Sequence, residues 1–109
     1  RKWIDVCDQS DLQPDSGVCV LAGSKQIALF YLTELEQVFA VGNFDPLAKV
    51  NVVSRSMVGD LGGEPMLISP LYKQHFSLLT GQCFENPELS IPVYSVKTEA
   101  GRVMLCLDR

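Results

Sequence analysis

Short apolar segments alternate with turn-forming residues along the whole chain, and this pattern predicts a β protein. The segments have the length of strands, and no long amphipathic helix separates them. About nine or ten strands at such close spacing are typical of an antiparallel β-sandwich or barrel. The predicted strands are residues 3–6, 17–22, 25–31, 37–41, 58–61, 65–68, 74–78, 92–97 and 102–107.

Glycine-containing turns join several of these strands into hairpins. Gly23 and Ser24 form a two-residue loop between the second and third predicted strands. Gly62 and Gly63 connect the strands on either side of them in the same way, and the segment 98–101 joins the last two strands. Loops of this length and composition are those of tight β-hairpins, so sequential strands are expected to be antiparallel neighbours.

Other segments give a less definite pattern. Residues 8–17 form a polar turn with room for one helical turn, whereas residues 49–57 fit a helix and a strand equally well. The segments 27–32 and 103–107 are apolar on both faces of the predicted strands. This indicates either a sheet that is covered on both sides or strands that are buried in a subunit interface.

Composition and charge narrow the class of protein. The 109 residues suit one domain, 1–109, and 47% hydrophobic residues suffice for a core. The net charge of −4 argues against a nucleic-acid partner, and no apolar run is long enough to span a membrane. The four cysteines are widely spaced, which favours free thiols in the cytoplasm over the two disulfides of a secreted protein. Cys19 and Cys106 lie in apolar segments and are predicted to be buried.

Two loops resemble the cluster-binding half of a Rieske iron–sulfur domain, but without its metal ligands. A Rieske domain has Cys-Pro-His in one loop and Cys-Pro-x-His in the second, followed by a Thr-Gly turn. In this chain Pro46, Pro70 and the turn at residues 80–81 match that pattern. The four ligand positions are occupied by Asp45, Leu47, Ser69 and Tyr72.

These four side chains supply neither the two thiolates nor the two imidazoles of a Rieske centre. The resemblance implies a Rieske-like antiparallel β-sandwich of three small sheets, and the substitutions predict that it holds no iron–sulfur cluster. Leu47 and Tyr72 are then candidates to fill the space of the lost imidazoles, while Pro46 and Pro70 stiffen the loops by fixing φ. Tyr72 could equally point outward as an interface anchor.

Five segments carry a resemblance that covers nearly the whole chain: residues 3–7, 37–46, 53–56, 69–76 and 79–83. Through them the chain resembles the small subunits of cytoplasmic NAD(P)H-dependent nitrite reductases. The resemblance implies a large partner subunit that carries FAD, an iron–sulfur cluster and siroheme and reduces nitrite to ammonium. This chain, with no redox group of its own, is then a non-catalytic accessory subunit that docks on the large one. Since the ligands are missing, neither a metal ligand nor an electron-relay role is carried over.

The predicted docking surface is the end of the molecule where a Rieske domain exposes its cluster. No catalytic residue is predicted there. Lys49, Arg55 and Lys73 form either a positive patch for an acidic partner or ordinary solvated charges, and the second interpretation is the simpler one. The candidate surface consists of Asn43, Phe44, Leu47, Leu71, Tyr72, Lys73 and His75.

Single residues add little catalytic signal. His75 is the only histidine, and strand parity places it on an exposed face, opposite Phe76 and Leu78. Asp45 precedes a proline and is predicted to cap a turn, and Cys83 is expected to be structural. Two alternatives stay open. One is a metal site of Asp45, His75 and a cysteine, against which the lack of chelate spacing counts. The other is a free-standing regulatory or protein-interaction module unrelated to nitrite.

Overall fold

The structure is a computed structural model that describes residues 2–108. Short strands dominate it, and two single-turn 3-10 helices lie at Gln9–Asp11 and Val53–Arg55. The strands are β1 (Ile4–Asp8), β2 (Gly17–Ala22), β3 (Lys25–Leu32), β4 (Gln37–Gly42), β5 (Phe44–Asp45), β6 (Val50–Asn51), β7 (Met57–Leu61), β8 (Glu64–Ile68), β9 (His75–Ser77), β10 (Val93–Glu99) and β11 (Arg102–Cys106).

Within residues 2–108 these strands form three antiparallel sheets, which confirms the predicted all-β architecture of three sheets. The large sheet has the order β1-β11-β10-β4-β3-β2, the small sheet has the order β7-β8-β9, and β5 pairs with β6. The predicted hairpins are present: Ala22 pairs with Lys25 in one, and Leu61 pairs with Glu64 in another. Among residues 2–108, no helix is long and apolar enough to cross a membrane.

The ambiguous segment 49–57 contains three short elements in succession. Strand β6, the second 3-10 helix and the first residue of β7 all fall within it. None is long enough to establish a period of its own, so neither a helical nor an alternating pattern prevails there. The polar turn at residues 8–17 does contain one helical turn, at Gln9–Asp11.

The middle of the large sheet is buried on both faces, as the doubly apolar strand at 27–32 predicted. Ala28 and Phe30 pack on one side against Leu67 and Phe76 of the small sheet. On the other side, Ile27 and Leu29 pack in a second cluster with Ala40, Tyr94, Val103 and Leu105. Strand β3 therefore links two cores. Each fully buried Leu, Ile or Phe side chain in them contributes about 1.5–3 kcal/mol to the free energy of folding.

The cysteines follow the position of their strands. Cys106 in β11 is fully buried, as predicted, but Cys19 in β2 is exposed. The prediction for Cys19 was wrong because β2 is an edge strand, and the face that carries Cys19 and Leu21 is left open. All four cysteines are free thiols.

The Thr-Gly turn that follows β9 depends on its glycine. Gly81 has a φ of +82°, and a Cβ built on it would lie 2.0 Å from the carbonyl oxygen of Ile91. The backbone of Ile91 approaches this closely because its N–H donates to the carbonyl of Gly81 at 2.8 Å. Only glycine fits both requirements, and the turn fixes the segment after β9 against the start of β10.

Candidate docking surface at the tip of the small sheets

Two loops with a similar sequence and the same backbone hydrogen bond lie at one end of the molecule. Loop 1, residues 45–49, reads Asp-Pro-Leu-Ala-Lys, and loop 2, residues 69–73, reads Ser-Pro-Leu-Tyr-Lys. In both, the N–H of the last residue donates to the carbonyl of the first, at 2.7 Å in loop 1 and 3.1 Å in loop 2. The two loops together with Phe44 are called the tip below.

A buried hydrogen bond joins the two loops at their first residues. The hydroxyl of Ser69 donates to Oδ2 of Asp45 at 2.5 Å. Both side chains are buried, with exposed fractions of 0% for Asp45 and 1% for Ser69. A hydrogen bond to an ionised carboxylate in such a dry place is stronger than one between neutral groups. Loop 1 and loop 2 are therefore tied together by side chains of the protein itself.

The second oxygen of Asp45 organises loop 1. Oδ1 accepts hydrogen bonds from the backbone N–H groups of Leu47 at 2.8 Å and Ala48 at 3.0 Å. This is the turn-capping role that the sequence predicted for an aspartate before proline. With both its oxygens occupied, Asp45 satisfies the requirement that buried polar groups be hydrogen-bonded.

The residues at the tip do not fit a Rieske [2Fe–2S] centre. Such a centre requires two thiolates and two imidazoles. The positions of the thiolates hold Asp45 and Ser69, which bind each other. The positions of the imidazoles hold Leu47 and Tyr72, which are 40% and 60% exposed. The prediction that Leu47 and Tyr72 fill the vacated space was wrong, because the Asp45–Ser69 contact already closes it. Tyr72 takes the outward alternative.

His75 is held more firmly than the sequence suggested. Its backbone N–H donates to Oε1 of Glu85 at 2.8 Å, and its Nδ1 makes a short contact with Oε2 of the same carboxylate. The imidazole is thus half-buried and paired rather than free on an exposed face. Burial raises the pKa of Glu85, but the hydrogen bonds from His75 outweigh it and hold that pKa below its ordinary value.

The structure separates Asp45 from the other candidate metal ligands. Asp45 binds Ser69, whereas His75 binds Glu85, and the buried thiol of Cys83 lies 3.2 Å from Oε1 of Gln74 and 3.6 Å from Oε1 of Glu85. Among residues 2–108, no three His, Cys, Asp or Glu side chains converge in a way that would hold a metal ion. The alternative of an unorthodox metal site therefore receives no support from the geometry.

The tip exposes most of the apolar side chains that the sequence assigned to it. Phe44 is 49% exposed, Leu71 is 56% exposed and Tyr72 is 60% exposed, and Lys73 is exposed beside them. A cluster of large exposed apolar side chains on a small protein is typical of an interaction surface. Lys49 and Arg55, the other two residues of the predicted basic patch, are exposed as well.

Asn43 does not belong to this surface, and its assignment there was wrong. It is only 2% exposed. Its Nδ2 donates to Oε1 of Gln26 at 2.9 Å, and its Oδ1 accepts the N–H of Ser54 at 2.7 Å. Asn43 is therefore a structural clip between β3 and the second 3-10 helix.

Sequence reasoning missed three exposed apolar residues near the tip. Val50 is 41% exposed and pairs with Asp45, Met57 is 64% exposed and pairs with Ile68, and Phe84 is 39% exposed. The N–H of Phe84 donates to the carbonyl of His75, which brings it beside β9. In the sequence, these residues are apolar positions at the start of a strand or in a polar turn. Their exposure beside the tip could be recognised only from the pairing of the strands.

Comparison with known proteins places this arrangement in a family. The model of the Rieske-like [2Fe-2S] domain matches residues 2–106. The nitrite reductase (NADH) small subunit of Escherichia coli K12 is 38% identical over 104 residues, which are 95% of this chain and 96% of that protein. The solution structure of the nitrite reductase [NAD(P)H] small subunit from Erwinia carotovora superimposes with a TM-score of 0.83 at 37% identity, covering 98% of this chain and 82% of that one.

A further relative differs in its architecture. The nitrite reductase [NAD(P)H] large subunit of Klebsiella oxytoca contains a region that is 40% identical to this chain over 103 residues. The match covers 94% of this chain but only 11% of the Klebsiella protein. In that protein, a domain similar to this chain is part of the large polypeptide.

Proposed function

Because the chain belongs to the Rieske-like [2Fe-2S] domain family and, within it, to the nitrite reductase small subunits, we propose that it is the accessory small subunit of an NAD(P)H-dependent nitrite reductase. It docks on the large subunit, in which electrons from a nicotinamide reduce nitrite to ammonium. FAD, an iron–sulfur cluster and siroheme belong to that large subunit, and this chain carries no cofactor and no catalytic residue.

The hydrogen bond between Asp45 and Ser69 is the observation that carries this proposal. It holds the two loops of a Rieske tip together with groups that cannot accept or donate an electron. The shape of the tip is thus retained while the residues that would hold a cluster are gone. A surface whose shape is kept without its redox centre is suited to binding.

The Klebsiella large subunit supports the choice of partner. A region similar to this chain is covalently part of a nitrite reductase large subunit there. Two domains in one polypeptide are held at high effective concentration, which favours a contact between them. We therefore take the large subunit as the partner of this separate chain.

The proposed docking surface consists of five exposed residues of the tip and the adjacent His75. The five are Phe44, Leu47, Leu71, Tyr72 and Lys73. The loops of the tip are already ordered before binding, because the prolines fix φ and the Asp45 carboxylate caps the first turn. Ordered loops lose little conformational entropy on association, so exposed apolar side chains such as Leu71 and Tyr72 contribute more fully to affinity.

We propose that the chain works in the cytoplasm. We also propose that residues 1–109 form a single domain. Four free thiols, of which Cys19 is exposed, are suited to a reducing compartment. An acidic chain with a net charge of −4 is unsuited to nucleic acid or to an anionic membrane surface.

An affinity purification tests the proposal directly. The tagged chain is used as bait in cytosol of its own source organism grown on nitrite, and bound proteins are identified by mass spectrometry. We expect stoichiometric recovery of a large subunit that contains flavin and siroheme. If that subunit is abundant in the cytosol and stays unbound, the chain is a β module with another role.

A further inference from the structure

Lys49 and Lys73 end the two loops of the tip in the same conformation. Both have a positive φ, 61° at Lys49 and 57° at Lys73. Glycine and asparagine adopt this left-handed conformation more easily than lysine does. Backbone geometry alone therefore does not explain why both loops end in a lysine. A role for the lysine side chains would explain it.

Both lysine side chains are free to meet a partner. Each residue is exposed, and the ion pairs found within residues 2–108 involve His75 and Arg102 instead. The ammonium groups of Lys49 and Lys73 make no hydrogen bond or ion pair with any other residue in the range 2–108. Lys73 directly follows the exposed Leu71 and Tyr72 in loop 2, and Lys49 holds the equivalent position in loop 1.

The two loops of the tip expose no carboxylate of their own. Asp45 is fully buried, Glu85 is paired with His75, and the exposed Glu88 lies in the segment that follows Glu85. The exposed Asp60 lies in β7 next to the turn at the opposite end of the small sheet, where Leu61 pairs with Glu64. Among its own residues the tip thus exposes two lysines and no carboxylate, although the chain as a whole carries a net charge of −4.

Resting on the proposed function above, we infer that the large subunit receives the tip in an apolar recess with acidic side chains at its rim. Leu71 and Tyr72 fill the recess, and Lys49 and Lys73 lie opposite the rim carboxylates. Complementary charge at a rim accelerates the encounter and orients it, whereas buried apolar contacts set the lifetime of the complex. The two lysines are therefore specificity-determining residues for docking.

Association kinetics between the full-length chain and the purified large subunit test this inference. The variants are Lys49→Glu and Lys73→Glu, with the neutral Lys49→Met and Lys73→Met to separate charge from the alkyl stem. We expect the reversals together to slow association about tenfold or more at low salt. The neutral pair should lie between the reversals and the wild type, and the dissociation rate should change far less. The salt dependence of association should weaken in the same order.

Lys2→Glu is the matched control, because it makes the same change of charge at an exposed residue that precedes β1, an edge strand of the large sheet. If the wild type binds and the tip reversals associate as fast as Lys2→Glu, the acidic-rim inference is overturned while the docking proposal stands. If the wild-type chain does not bind the purified large subunit at all, both fail together. Equal thermal midpoints of all variants exclude unfolding as the cause.

Discussion

Asp45 and Ser69 occupy the two positions at which a Rieske domain has its cysteines, and here they bind each other. In a Rieske domain the two loops are connected through the metal that the cysteines bind. Here a hydrogen bond between Asp45 and Ser69 connects them instead. A carboxylate that is fully buried must keep its donors, because a charge stripped of its partners in a dry site is strongly destabilising. The stability of the tip therefore depends on these two residues.

Ser69→Ala tests this dependence. The substitution removes the hydroxyl that donates to Oδ2 of Asp45. We expect the free energy of unfolding to fall by about 1–3 kcal/mol, since a buried acceptor loses its donor. Urea denaturation measures the change. Ser24→Ala, at an exposed position in the β2–β3 turn, serves as the control, and equal midpoints for the two variants would rule out a stabilising role for the contact.

The pairing of His75 with Glu85 predicts a pH dependence. Burial raises the pKa of Glu85, but its hydrogen bonds with His75 hold the folded-state pKa below the ordinary value. The ionised carboxylate therefore stabilises the fold near neutral pH, and this contribution is lost as the pH falls through the folded-state pKa. Its size is well under about 1 kcal/mol, because the side chain is 42% exposed and solvent screens the charge.

Glu85→Gln is the variant that shows this effect. We expect its thermal midpoint to lie slightly below that of the wild type at about pH 7, and the two midpoints to converge once the pH falls below the lowered folded-state pKa of Glu85. Thermal unfolding followed across this range by circular dichroism gives the difference. A difference that stays constant with pH would mean that the charge of Glu85 does not contribute.

Among the elements, the short apolar segments and the turn residues between them were sufficient to predict every strand except β5 and β6. Those two strands have two residues each. A pattern with a period of two cannot be recognised in so short a segment, and the pairing of Phe44 with Asn51 depends on the fold around it. The edge position of β2, which exposes Cys19, is likewise a property of the sheet and not of the strand.

Gly81→Ala tests the turn that follows β9. A Cβ at this position would lie 2.0 Å from the carbonyl oxygen of Ile91, in addition to the strain of a φ of +82°. Gly62→Ala is the matched control, since Gly62 also has a positive φ, of +63°, but no atom within 4 Å of the added Cβ. We expect both variants to lose about 1 kcal/mol from strain and Gly81→Ala to lose more, because its backbone must also move. Similar unfolding free energies for the two variants would contradict the close approach.

For the whole molecule, the sequence located the two loops of the proposed docking surface but not all of the exposed residues around them. The prolines and the Thr-Gly turn located the two loops along the chain. The burial of Asn43 was not predictable, because its partners Gln26 and Ser54 are distant in sequence. For the same reason, the exposure of Met57 and Phe84 beside the tip became apparent only from the register of the small sheet.

If the proposed docking surface binds the large subunit, its exposed apolar side chains should matter for affinity and not for stability. The double variant Leu71→Ala with Tyr72→Ala removes two exposed anchors from the tip. We expect its affinity for the large subunit to fall by roughly 30-fold or more, as loss of a binding hot spot of about 2 kcal/mol implies. Its thermal midpoint should be unchanged.

Isothermal titration calorimetry with the purified large subunit measures this affinity. Leu35→Ala is the control, because Leu35 is 51% exposed in the β3–β4 connection, in a groove that it lines together with Asp60 and Gly63 at the end of the small sheet away from the tip. An equal loss of affinity in Leu35→Ala and the double variant would show that the partner binds elsewhere.

Native mass spectrometry of the purified complex tests for an accessory subunit without a cluster, since it reports both the partner and the metal content of this chain. We expect a complex of the large subunit with this 12.0 kDa chain, from which the small chain is released at the mass of its polypeptide alone. Release of the chain with the added mass of two irons and two sulfides would show that it holds a cluster, and recovery of the large subunit without it would show that it is not an accessory subunit.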